Sequence, residues 1–178
     1  MRCERSVAAI TGLVLVSAAP GALAHSFGAA GAGFSAGVGH PFLGLDHLAA
    51  MVAVGVWAAQ AGWRPVWSVP LVFMAVMAFA AALAFAGIAL PVVEAGIAAS
   101  LLVLGLLIAA AVRLPASAGA LIVAVFALFH GYAHGAEIPQ AAAPWLYAGG
   151  FLLATGLLHA AGILAGRQWA ARRPWLAR

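Results

Sequence analysis

Ala118-Gly-Ala-Leu-Ile-Val-Ala-Val-Phe-Ala-Leu-Phe-His130-Gly-Tyr-Ala-His134 reads as a membrane span that ends on two histidines. A helix that crosses the hydrocarbon core takes about 20 mostly apolar residues. Similar runs flank it, separated by short breaks that contain Gly, Pro or Arg. Spans are expected at Phe42–Ala61, Val66–Ala86, Val92–Val112, Ala118–His134 and Trp145–Ala165. The fold class is therefore all-α, a polytopic membrane helix bundle of about five transmembrane helices.

Composition agrees with that reading. The 178 residues are 66% hydrophobic and only 7% charged, with a mean hydropathy of +1.11, far above an ordinary globular domain. The formal charge of +4 comes from arginine, because the chain has no lysine. A Walker A loop needs a lysine, so ATP hydrolysis by that route is excluded. The arginines sit at span ends and act as topology signals rather than as a nucleic-acid patch.

Residues 1–24 have the form of a secretory signal. Arg2 and Arg5 give a positive start, Val7 to Val16 an apolar stretch, and Ala22-Leu23-Ala24 an A-x-A cleavage site. Residues 25–178 then form a single transmembrane domain that starts at His25. Cys3 would be lost with the signal, so a metal site must rest on nitrogen and oxygen donors. Residues 25–39, rich in Gly, Ala and Ser, are expected to form a loop or a short re-entrant segment.

The arginines also give an orientation. With the mature N-terminus periplasmic, Arg64, Arg113, Arg167, Arg172, Arg173 and Arg178 all face the cytoplasm, as does the C-terminus. Trp63, Trp67, Trp145, Trp169 and Trp175 fall near span ends, where interfacial anchors belong. Gly162 and Gly166 form a GxxxG pair, which serves equally for packing within one chain or for a homo-oligomer.

Ionisable groups inside a membrane cost about 2.5–3.5 kcal/mol each on insertion scales, so they signal function. Two clusters stand out. One is His40-Pro-Phe-Leu-Gly-Leu-Asp46-His47, and the other is His130-Gly-Tyr-Ala-His134-Gly-Ala-Glu137. Imidazole and carboxylate together are what a borderline divalent metal prefers. His130 and His134 are spaced i,i+4 and can reach one ion; Glu137 continues that face if the helix persists through Gly135. Asp46 and His47 are adjacent, with one expected as ligand and the other as the partner that fixes an imidazole tautomer.

Pro41 suits a first helical turn, and Gly44 would let another backbone come close. Glu94, near the start of the third span, is expected to be buried on the same outer side. The metal set is then His40, Asp46, His47, Glu94, His130, His134 and Glu137, with His25 added if its freed α-amine chelates. Met51 is a further soft contact or simply core. Ser100 reads as helix packing, and His159 as either a packing residue or an inner relay point.

The stretch His40-Pro-Phe-Leu-Gly-Leu-Asp-His47, followed by Met51 and Gly55-Val-Trp57, resembles the HupE/UreJ family signature. The likeness continues through Glu94-Ala-Gly-Ile-Ala-Ala-Ser100 and His130 to Glu137. The resemblance implies a nickel or cobalt permease of the bacterial inner membrane, associated with hydrogenase or urease gene clusters. The first motif is also similar to the HxxxxDH motif of the nickel/cobalt transporter family, with one more residue between His40 and Asp46.

Spacing and composition alone imply only a borderline divalent ion. The expected function is uptake of Ni²⁺, or Co²⁺, from the periplasm, with the lipid bilayer and the ion as partners and no nucleic acid. An alternative is a membrane-embedded Zn²⁺ hydrolase, in which the same His/Asp cluster activates water. A third is a sensor or accessory scaffold that binds metal without moving it.

Overall fold

The computed structural model describes residues 33–137 and 143–172. The expected signal segment 1–24, His25, Arg173, Trp175 and Arg178 lie outside these residues. All regular structure among the described residues is helical. Helix α1 spans Phe34–Gly39, and a 3-10 turn follows at His40–Phe42. The longer helices are α2 Leu45–Ala61, α3 Ser68–Phe85, α4 Val93–Ala109, α5 Ala116–Glu137 and α6 Pro144–Ala171.

Each of the five apolar runs thus forms a helix. By length and composition α3, α5 and α6 qualify as spans, and the bent pair Phe34–Phe42 with Leu45–Ala61 is a fourth if taken as one broken span. Helix α4 is apolar but has 17 residues, about 26 Å at 1.5 Å per residue. Large apolar side chains point outward, including Leu71, Phe79, Leu102, Leu121, Leu157 and Leu164. Such a surface is stable only against lipid, so the chain is a helical membrane bundle.

Helix α3 packs chiefly on α5, and α2 on α6, while α4 bridges α2 and α5. In lipid, helices associate by close van der Waals contact, which small residues permit. A Cβ at Gly162 would collide with the Val52 carbonyl, and one at Gly55 with the His159 carbonyl. The GxxxG pair therefore joins α2 to α6 inside one chain. On the other side, Gly131 and Gly135 let α5 press against the Met77 and Ala81 carbonyls of α3.

One end of the bundle is stapled by tryptophan. Trp57 donates Nε1–H to the Val112 carbonyl at 2.9 Å, and Trp63 donates to Leu114 at 2.8 Å. The two rings pack at 4.9 Å. Trp63 is therefore not the lipid-facing anchor expected from its place near a span end: it is 6% exposed and ties the α2–α3 turn to the α4–α5 turn. Trp145 and Trp169 do lie at the periphery.

At the opposite end the chain turns sharply. Phe34–Phe42 is inclined at 82° to α2. Pro41 sits in the first positions of the 3-10 turn and Gly44 caps α2 in an extended conformation, so α2 begins three residues later than expected. The turn aims His40 back across the top of α5 and α6.

Candidate metal centre

Two elements build the site, the α1–α2 corner and the last turns of α5. Helix α5 continues through Gly135 to Glu137, which keeps His130, His134 and Glu137 on one face. Donor atoms of His40, His134 and Glu137 lie within 4.8 Å of one another. His40 Nε2 is 3.0 Å from Glu137 Oε2, and His134 Nδ1 is 4.0 Å from the same oxygen.

Behind this trio the imidazoles continue inward. The His134 ring centroid is 4.8 Å from that of His40 and 4.1 Å from that of His47, which in turn is 4.7 Å from His130. Exposure is greatest at the Glu137 end and lowest at His130, with His47, at 8%, slightly more open than His134. The Glu137 side chain is 31% exposed and that of His40 11%, His134 is 5% exposed overall, and His130 is fully buried. Glu137 and His40 form the mouth, and His130 the floor.

Hydrogen bonds decide which nitrogens are free. Asp46 Oδ1 accepts the His47 backbone N–H at 2.8 Å and lies 3.0 Å from His47 Nδ1. A proton on Nδ1 satisfies that carboxylate and leaves the lone pair on Nε2. Gly44 makes room for this pair, since a Cβ there would press on Asp46 Oδ1 and His47 Nδ1. The close approach expected at Gly44 is thus to side chains and not to another backbone.

Ser100 plays the matching part for His130. Its hydroxyl donates to the Ile97 carbonyl at 2.6 Å, so its oxygen accepts from His130 Nε2–H at 2.8 Å. The lone pair then rests on Nδ1. Among the described residues, His47 Nε2, His130 Nδ1 and both ring nitrogens of His134 are buried without a hydrogen-bond partner. An orphaned buried polar atom costs about 1–3 kcal/mol, so these four nitrogens, with Glu137 Oε2 beside them, fit a place built to receive a ligand.

The walls are apolar and tight. Phe151 lies 4.1 Å from the His134 ring, and Tyr147 5.7 Å from His40. His134 also borders an apolar cavity of about 390 Å³ between α3, α5 and α6. Deeper in, the Phe73 ring touches both His130, at 5.9 Å, and His159, at 5.2 Å.

The structure thus gathers His40, His47, His130, His134 and Glu137, with Asp46 attached through His47. Glu94 is not among them. It is exposed in the first turn of α4, rather than buried as expected. Met51 is fully buried in the hydrophobic core. His159 is buried outside the cluster. Sequence reasoning missed Ser100 as a partner of His130, although a lone hydroxyl within the apolar run Ile97 to Leu104 was a usable signal.

A sequence model described as HupE / UreJ protein matches residues 13–178. The chain belongs to the HupE/UreJ family. Protein HupE of Rhizobium leguminosarum bv. viciae is 49% identical over 120 residues, which is 67% of this chain and 63% of that relative. The match therefore spans less than two thirds of the relative's own length. No solved structure matches the chain.

Proposed function

We propose that the chain is an inner-membrane permease for Ni²⁺, or Co²⁺, which enters from the periplasmic side through the mouth formed by His40, His134 and Glu137. The observation that carries this reading is the run of ligand-capable atoms from that mouth to the buried Nδ1 of His130. A site that merely stores an ion needs one coordination sphere. This cluster is drawn out instead, each imidazole ring 4.1–4.8 Å from the next between the mouth and His130.

The chemistry suits a borderline cation. Imidazole nitrogen and carboxylate oxygen replace water ligands, and the described residues include no thiolate to trap a soft ion. A buried divalent charge needs compensation. Asp46 and Glu137 supply two negative charges when ionised, so neutral imidazoles leave the loaded cluster without net charge. The family membership supports a transport role in metal supply, and the arginine pattern supports a mouth that opens to the periplasm.

Purified protein in sealed liposomes tests this reading. Nickel added outside should reach an indicator trapped inside at a rate well above that of protein-free vesicles, and cobalt should compete with it. Tight nickel binding without any crossing would overturn the permease reading.

A further inference from the structure

The imidazole cluster divides into two overlapping sets of donors. The outer set is His40, His134 and Glu137, at the partly open mouth. The inner set is His47 Nε2, His130 Nδ1 and His134, whose ring nitrogens named here are buried and without a hydrogen-bond partner among the described residues. Only His134 belongs to both. Its Nδ1 lies 4.0 Å from Glu137 Oε2, and its ring also packs against that of His47, at 4.1 Å.

We infer that the cluster is two alternative subsites that share His134, an outer one with a carboxylate ligand and an inner one made of nitrogen alone, each holding one divalent cation in turn. The sharing follows from the ring itself. A neutral imidazole carries one lone pair, so His134 serves one ion at a time. When its proton faces Glu137, the lone pair on Nε2 is available to the inner set. When the proton moves to Nε2, Nδ1 joins the outer set. Two dications this close would also repel strongly in a buried setting.

The inner set is prepared before an ion arrives. Asp46 holds the His47 proton on Nδ1, and Ser100 holds the His130 proton on Nε2. Both remaining lone pairs lie on unpartnered buried nitrogens, so Ser100 acts as a positioning residue. An ion stepping inward exchanges the Glu137 oxygen and His40 nitrogen for two imidazole nitrogens while His134 stays in contact. This avoids a fully released state, which low dielectric would make costly.

The inference rests on the permease reading only for the direction of the step; the division into subsites stands on binding alone. The test uses full-length protein in detergent, titrated with NiCl₂ by calorimetry, with X-ray absorption on the loaded protein and uptake in liposomes alongside. Wild type should bind one ion per chain. His130→Ala should still bind one ion, with a carboxylate oxygen among its ligands, and Glu137→Gln should bind one through nitrogen ligands without a carboxylate. Both should lose uptake, and His134→Ala should lose binding.

Ser100→Ala leaves the metal ligands in place and should weaken occupancy of the inner set about tenfold, the low end of the 10–100-fold range for loss of a ligand's orienting partner. It keeps the test open if His130→Ala does not fold. The inference is overturned if His130→Ala and Glu137→Gln each abolish binding as fully as His134→Ala, which means one composite site. Two ions bound at once to wild type would also overturn it. Wild type that shows this binding pattern without uptake would contradict the permease reading while leaving the two subsites standing.

Discussion

Ser100 Oγ lies 2.8 Å from Nε2 of His130, thirty positions later in the chain, and joins α4 to the floor of the imidazole cluster. The bond engages one ring nitrogen and leaves the other, Nδ1, buried without a partner among the described residues. Asp46 does the same for His47. The second pairing involves a charge and the first does not, so the two substitutions should behave differently.

Asp46→Asn keeps an oxygen that can accept from His47 Nδ1 but removes a negative charge near the ion. Nickel affinity should fall by about one to two orders of magnitude, as expected for loss of an outer partner of a metal-binding histidine. Titration calorimetry against wild type measures this. Unchanged affinity would show that the Asp46 charge does not reach the ion.

Acid should weaken binding. Nickel takes the neutral imidazole, and protons compete for the same lone pair. Affinity should therefore be greatest where the imidazoles are neutral and weaken as acid protonates them. Binding measured from pH 8 down to pH 5 should also show proton release on loading. A flat profile would mean that proton competition for the imidazole lone pairs does not govern binding in this range.

Gly135 and Gly162 each face backbone of a neighbouring helix. Gly135→Val should separate α5 from α3, and Gly162→Val should separate α6 from α2. Overpacking of this kind costs about 1–3 kcal/mol, visible as a lower melting temperature in detergent. Gly149 has open space where its Cβ would go, so Gly149→Ala should leave the melting temperature nearly unchanged.

Trp63→Phe separates the staple from the site. It removes the donor to the Leu114 carbonyl at the end of the bundle away from the histidines. Stability should drop by about 1–3 kcal/mol for the carbonyl left unpaired, while nickel affinity stays within twofold of wild type.

Much of this architecture was legible in the chain. The apolar runs mark the helices because a lipid-facing helix must be apolar over its length. The i,i+4 spacing of His130 and His134 marks a face whatever surrounds it. What stayed hidden depends on tertiary contact. The helix Phe34–Gly39 is too short and too rich in Gly and Ala for a periodic signal, yet it delivers His40 to Glu137.

Trp63 looked like an anchor because composition near a span end cannot distinguish a lipid-facing indole from one bonded to a loop carbonyl. Glu94 looked like a ligand because charge inside an apolar chain draws attention, and its depth depends on where α4 begins. The structure brings Asp46 and Glu137 to the imidazoles and leaves Glu94 apart from them. Whether the GxxxG pair served one chain or two also waited on the α2–α6 contact.

The central claim is that the ion crosses by way of the imidazole cluster. Its most direct test is nickel flux into liposomes that carry equal amounts of wild type and His134→Ala, with matched melting temperatures in detergent. The account predicts steady inward flux for wild type and flux at the level of empty vesicles for the variant. Equal flux for both proteins would contradict it, because an ion that does not need His134 does not pass through this site.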